Sequence, residues 1–327
     1  MPNEADTIHI TADGSITLKD IETGELFHNR AGAYTEALVN FVQPLYLHKH
    51  AVEKQEYAVM DVCFGLGYNT FALLTELAQL PSKIERVQVV AIEKNELPLR
   101  HLNDVLNDKR FVPLNDAMKN SCPALFDGEI GKHHFSIVGY GAGGSSSKEI
   151  RVEINLIRED LRQVIPRLAN DADFIGSFDA IFHDAFSPLR APYLWTVDLF
   201  QCYKRLLKNY QGNNPGGRVV TYSAASAVRS ALEQCGFCIR RTEALGAKNG
   251  GTLAILTDGE AGIQVGDEAL ELLEHEVLKM HGRPGVPHRD PTFQDTWKNI
   301  QIAREAEQDV LFPVPKVNYS PRRRRRK

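Results

Sequence analysis

The chain has 327 residues, of which 43 % are hydrophobic and 24 % charged, a balance that suits a globular protein and excludes a largely disordered one. Its 38 basic and 42 acidic side chains give a formal charge of −4, and without Arg322 to Lys327 the count is 32 against 42, so an acidic body carries a cationic tail. No apolar run approaches the roughly 18 residues of a membrane-spanning helix, Met1 to Asp6 lack a secretory pattern, and five cysteines, an odd number, favour reduced thiols and a cytoplasmic setting.

In chain order, Ile8 to Lys19 alternates polar and apolar residues around Asp13-Gly14, the pattern of a hairpin. Thr35 to Leu47 has helical spacing through Leu38, Phe41, Val42 and Leu45, with Pro44 as a kink or end. From Tyr57 to Phe64 a short apolar run leads into Gly65-Leu-Gly67-Tyr-Asn69 and a helical pattern from Thr70 to Leu80, which reads as strand, glycine turn, helix. Further strands are expected at Arg86–Glu93, Arg151–Ile157, Phe178–Phe182, Arg218–Tyr222, Phe237–Thr242 and Thr252–Leu256. Helices are expected between them: to about Leu106, to about Leu168, from Leu194 to Tyr210 and from Ala224 to Cys235.

This alternation predicts an α/β fold: a doubly wound, mostly parallel sheet of seven strands, the last pair antiparallel. The stretch 111–150 is too long for a simple connection, and His133–Tyr140 with Gly141 to Ser147 reads as a protruding hairpin with a flexible tip. Helices are expected at Asp267–His281 and Pro291–Glu307. The resulting division is an N-terminal hairpin and helix over 1–49, a main domain over 50–258, a helical appendage over 259–312 and a basic, disordered tail over 313–327.

Ligands of doubly wound sheets bind at the carboxyl ends of the strands, and the informative polar residues fall there. Gly65 and Gly67 permit a tight turn and close backbone approach to a ligand, but Thr70 stands where a dinucleotide fingerprint has its third glycine, so a pyrophosphate cradle is disfavoured. Glu93 ends the second strand of the main domain, where a carboxylate can accept both hydroxyls of a ribose or sit as a solvated strand-end acid. Asp160, after the third, can accept from an adenine amino group or cap the next helix. Glu159 can share either task.

Asp184 is the sharpest residue. It ends the fourth strand within His183-Asp-Ala-Phe-Ser-Pro188, where an acid followed by an aromatic and a proline suits a flat, nitrogen-bearing acceptor. Strand alternation turns His183 away from Asp184, so it reads as packed rather than as a base. Cys235 and Cys238 form one CxxC without the second pair of a structural zinc site, and no metal is expected.

This constellation resembles the class I S-adenosylmethionine-dependent methyltransferases. It resembles more closely the methyltransferase module of the MnmC-type tRNA wobble-uridine enzymes in their stand-alone form. The resemblance rests on Gly14 with Thr17-Leu18, Gly32-Ala33 and Thr35-Glu36-Ala37-Leu38, then Phe64 to Asn69, Glu93-Lys94 and Asp160. Its most specific piece is His183 to Pro188 with Trp195, Leu199 and Phe200. Gly216-Gly217, Thr221 to Ala224, Val228-Arg229 and Gly236-Phe237 complete it over about residues 10 to 256.

The resemblance implies a Rossmann-like fold and S-adenosyl-L-methionine held by Gly65, Gly67, Asn69, Glu93, Asp160 and Glu36. Asp184 would be catalytic, facing the exocyclic amine of 5-aminomethyl-(2-thio)uridine in a tRNA anticodon loop. An upstream enzyme would supply the free aminomethyl group. Phe186, Trp195 and Tyr222 are candidates for a base-stacking wall, and Arg229, Lys248 and Arg190 for phosphate contacts; each has an ordinary reading as a core aromatic or a solvated charge. The long 111–150 insertion and the glycine turn's Leu66 and Tyr68 depart from the minimal pattern. Two other readings keep the fold: methyl or aminopropyl transfer to a small amine, and a non-catalytic RNA-binding protein.

Overall fold

A computed structural model describes residues 8–19, 26–28, 30–144, 146–209, 216–244, 250–257 and 269–313. At its centre is β3 (Glu56–Val62), buried at every position but the first. This near-continuous apolar run is what a parallel strand covered on both faces requires. On one side β3 pairs in parallel with β4 (Arg86–Ile92), and β4 with β6 (Ser147–Ile157). On the other it pairs in parallel with β7 (Ala180–His183), and β7 with β8 (Arg218–Thr221). The sheet ends in an antiparallel pair, β10 (Thr252–Leu256) between β8 and β9 (Phe237–Arg241). A separate two-stranded hairpin of β1 (Ile8–Ile10) and β2 (Ile16–Leu18) precedes it.

Among the described residues the sheet has eight strands, in the order β5-β6-β4-β3-β7-β8-β10-β9, where the sequence predicts seven. The addition is β5 (Gly131–Tyr140), which pairs antiparallel with β6 along its whole length. The expected protruding hairpin is therefore the edge of the main sheet. Its alternating pattern buries His133, Phe135, Ile137 and Gly139 and lays the strand against a neighbouring helix.

The helices in chain order are α1 (Ala33–Ala37), α2 (Leu47–His50), α3 (Tyr68–Gln79), α4 (Glu96–Leu99), α5 (Leu102–Leu106) and α6 (Val112–Ser121). They continue with α7 (Pro123–Phe126), α8 (Leu161–Leu168), α9 (Val197–Leu206), α10 (Ser226–Gln234), α11 (Glu274–Met280) and α12 (Trp297–Leu311). A π-helical turn, Leu38–Val42, and a 3-10 turn containing Pro44 follow α1, so the expected helix over 35–47 is segmented. Two apolar cores flank the sheet. One packs the N-terminal segment, α3, α5 and α6 on residues such as Val59 and Val89. The other packs α8, α9 and α10 on Met60, Ile181 and Val219.

The C-terminal segment is tied to the main sheet's helices. His288 bridges Thr196 at the start of α9, and Val197 N–H donates to the His288 carbonyl at 3.0 Å. The helix predicted from Pro291 begins only at Trp297. Asp290, fully buried, gathers the N–H groups of Gln294 and Asp295, and Thr296 caps α12 by accepting from Asn299 N–H at 3.2 Å. Residue 267, where another helix was expected to start, and the basic tail lie outside the described residues. No described helix is long and apolar enough to cross a membrane. The five cysteines are free thiols. Cys235 is buried with its thiol against the Val197 carbonyl, and no metal-holding cluster occurs among the described residues.

Candidate active site

The sheet register brings the candidate residues to one rank. Val62 pairs with His183 on one side and Ile92 on the other, and Ile92 with Ile157. The next residue on each strand, Cys63, Asp184, Glu93 and Arg158, therefore emerges at the carboxyl edge together. A cleft of about 660 Å3 opens there, between the Gly65 turn, Glu93, Asp160, Asp184 and the loop 185–194. A more open depression of about 930 Å3 lies beside the amino ends of β4 and β6, but its charges answer one another: Arg86 lies 3.7 Å from Glu56, and Lys132 3.1 Å from Glu153.

The turn after β3 is left-handed at Cys63, Gly65 and Gly67, with φ of 62°, 55° and 78°. The two glycines do different work. A Cβ on Gly67 would lie 2.7 Å from the rings of Phe64 and Phe71, so this glycine closes the turn against the core. A Cβ on Gly65 would meet nothing nearer than 3.8 Å, because it would project into the cleft beside Phe27. That open backbone is a cradle in which a ligand can touch the main chain.

Glu93 is buried, and each of its oxygens accepts one backbone N–H: Gly65 at 2.9 Å and Asn95 at 2.7 Å. Burial raises its pKa against those bonds. A carboxylate has about four lone-pair sites, so Glu93 can still accept from a hydroxyl donor. Asp160 caps α8, accepting from Arg162 N–H at 3.0 Å, and also receives Lys94 Nζ at 3.2 Å. Burial raises its pKa, but the Arg162 N–H and Lys94 outweigh it and hold the carboxyl below its usual range. Its capping role is thus observed, while the same residue lines the cleft. Glu159 is drawn outward to Arg167 at 2.9 Å.

Asn69 does not face a ligand alone. Buried in the first turn of α3, it donates from Nδ2 to Asp184 Oδ2 at 2.9 Å. It is a strut between the glycine turn and the acid at the end of β7. Asp184 has its pKa raised well above the carboxylate range, first by burial and then by the negative charge of Glu36, with the Asn69 bond acting the other way. Asp61, one turn of strand below, accepts from Thr70 Oγ1 at 2.7 Å, and burial pushes it up to about 7. His183 is fully buried, hydrogen-bonded through Nδ1 to Tyr203 at 2.8 Å, and held by burial at about 3. It is the packed, neutral histidine the alternation predicts.

Glu36, Phe186, Arg190 and Tyr222 line the cleft with Asp184. Phe186 meets Phe27 edge to face at 5.7 Å, and Tyr222 donates to the Ala185 carbonyl at 2.8 Å. Two candidates are corrected. Trp195 is fully buried, donates to the Phe186 carbonyl at 2.7 Å and packs edge-on against His183, so it braces the wall from behind and no base can reach it. Arg229 is buried too, bound to Thr252 Oγ1, the Gly251 carbonyl and Glu276 at 2.7 Å; it joins α10 to α11 and cannot meet a phosphate. Lys248 lies outside the described residues. The sequence reading missed Phe27 and Tyr193, both on the cleft wall; Tyr193 sits under the Arg162 guanidinium at 4.6 Å.

A family model described as S-adenosyl-L-methionine-dependent methyltransferase matches residues 139–257. The crystal structure of MnmC2 from Aquifex aeolicus superposes with a TM-score of 0.68 at 27 % identity, covering 93 % of this chain and 84 % of that one. In sequence and in fold the chain is thus similar to an MnmC-type methyltransferase domain. An uncharacterized protein of Methanocaldococcus jannaschii is 29 % identical over 302 residues, 92 % of this chain and 72 % of that protein. The MnmC protein of Paraburkholderia xenovorans, named as a bifunctional protein of tRNA 5-methylaminomethyl-2-thiouridine biosynthesis, is 27 % identical over 228 residues, 68 % of this chain but only 31 % of that longer protein.

S-adenosyl-L-methionine is the methyl donor. The cleft fits it: bare backbone at Gly65, free lone pairs on a buried Glu93, and an acidic surround that complements a sulfonium.

Proposed function

We propose that this chain methylates the exocyclic amine of 5-aminomethyl-(2-thio)uridine at the wobble position of tRNA. The observation that carries the reading is the placement of Asp184. It is a half-buried carboxylate, tied by Asn69 to the donor turn, sharing with Glu36 a cleft walled by Phe27, Phe186 and Tyr222. The names of the MnmC relatives support the same acceptor.

The donor supplies an activated methyl group. What remains for the protein is to deliver a neutral amine in line with it, at near-attack distance. An alkylammonium entering the cleft meets two carboxylates, Asp184 and Glu36. A carboxylate whose pKa is raised is a stronger base, which narrows the gap to an amine. Asp184 therefore takes one N–H proton and Asn69 fixes its other oxygen, which leaves a neutral amine whose lone pair would accept the methyl group of a bound donor. The aromatic wall holds the pyrimidine of a splayed loop base. We further assign Glu93 to the donor's ribose, Asp160 to its adenine, and residues 50–258 to the methyltransferase domain.

The test is incubation of undermodified tRNA, carrying the free aminomethyl group, with labelled donor, followed by nucleoside mass spectrometry. A methylated wobble uridine is expected. A folded, donor-binding protein that methylates only free small amines would overturn the reading.

A further inference from the structure

Trp297 opens α12 against the loop that lines one side of the cleft. Its relative exposure is 46 %, while Trp195 is fully buried. The indole Nε1 donates to the Leu189 carbonyl at 3.1 Å, on the loop whose Ser187 and Arg190 line the cleft. Leu189 itself is 85 % exposed.

Three features make this a platform and not an incidental surface aromatic. First, the indole's single polar hydrogen is already satisfied within the protein, so covering the ring strands no donor. Second, the ring is anchored: the preceding Thr296 caps its helix, and Arg162 Nη1 holds the Asp295 carbonyl at 3.1 Å. Third, the loop it supports lines the cleft on either side of Leu189, through Ser187 and Arg190, and nothing among the described residues covers Leu189. A small amine acceptor has no second base to lay on such a surface, whereas a nucleotide chain with its target base in the cleft does.

We propose that the exposed face of Trp297, with Leu189 beside it, is a stacking platform for a base adjacent to the target uridine. The inference rests on the RNA acceptor proposed above. Stacking on an aromatic tolerates any base, since every base has a π-face, so the platform would add affinity and register with little sequence preference.

The two tryptophans allow a direct optical test. An anticodon stem-loop RNA with an unmodified wobble uridine is titrated into the full chain, with intrinsic fluorescence and RNA anisotropy followed in parallel. Binding should quench the exposed indole, and in Trp297→Phe, where only Trp195 emits, the quench should vanish while RNA still binds. Trp297→Ala should raise KM for tRNA about tenfold, the size of one lost stack, with kcat and calorimetric donor affinity within twofold; Trp297→Phe should recover most of the loss. RNA binding with unchanged Trp297 emission overturns the platform. So does a Trp297→Ala defect that lowers kcat and donor affinity together, which marks a purely structural tie to Leu189. Anisotropy that detects no RNA binding by the wild-type chain overturns the RNA acceptor itself, and the platform with it.

Discussion

The two ends of the central sheet bury the same kind of side chain in opposite settings. At the amino end, Asp179 accepts from Ala58 N–H at 2.8 Å and Lys208 Nζ at 2.7 Å, and pairs with Lys54 as well. At the carboxyl end, Glu93 and Asp184 are met by backbone N–H groups and an amide, and Asp184 shares the cleft with Glu36. A carboxylate answered by two lysines is complete within the fold. Carboxylates answered by neutral donors keep negative charge in reserve, and cationic ligands such as a sulfonium or an ammonium would relieve it. Burial alone therefore does not mark a functional acid; what marks it is the kind of partner.

The largest expected effect breaks this contrast at its functional end. Asp184→Asn keeps the shape and the Asn69 contact but removes the base, so kcat should fall about 10²–10⁴-fold, with the donor's calorimetric affinity little changed. Loss of donor affinity in step with kcat would place Asp184 in the donor site. In the wild type, kcat/KM should rise with pH as Asp184 ionises, because its raised pKa leaves the acid form in place above the ordinary carboxylate range; Asn69→Ala removes the bond that favours the ionised form and should move that limb to higher pH.

The mirror experiment, Asp179→Ala, should cost about 2 kcal/mol of stability by urea unfolding, since it orphans Ala58 N–H while its half-exposed lysines turn to solvent. Donor affinity should stay put. Between these lie the two glycines. Gly67→Ala forces a Cβ to 2.7 Å from two rings and should destabilise by about 2 kcal/mol. Gly65→Ala should cost about 1 kcal/mol for its positive φ yet weaken donor binding about tenfold, read by melting and calorimetry side by side.

The smallest effect is on the pH dependence of stability. Asp61 binds its proton more tightly folded than unfolded, so its contribution is complete below its ordinary 3.8 and is lost as pH rises through about 7. His183 works in the other direction: its folded pKa of about 3 means stability is lost as pH falls below the ordinary 6.5. Asp61→Asn should flatten the loss on the alkaline side and leave the acid side unaltered, in melts recorded from pH 4 to pH 8.

Much of this was legible in the chain. Apolar runs ending in Gly65, Glu93, Asp160 and Asp184 give both the parallel strands and the rank at which their acids emerge, because strand and site share one periodicity. What pattern cannot reveal is which side of a wall a residue occupies. Trp195 and Phe186 stand nine positions apart in the same motif, and only packing puts one behind the cleft and the other in it. Arg229 reads as a surface cation until Glu276, 47 residues on, covers it. The β5 alternation announces a strand but not its partner, and β6 was already spoken for on one side only.

The strap of residues 288–297 has a consequence for biosynthesis. Leu189 and its support at Trp297 are 108 residues apart in sequence, whereas the Gly65 turn, Glu93 and Asp160 all precede the acceptor loop. A chain made from its amino end therefore exposes the residues of the glycine turn first, and the loop at Leu189 is made 108 residues before the tryptophan that braces it.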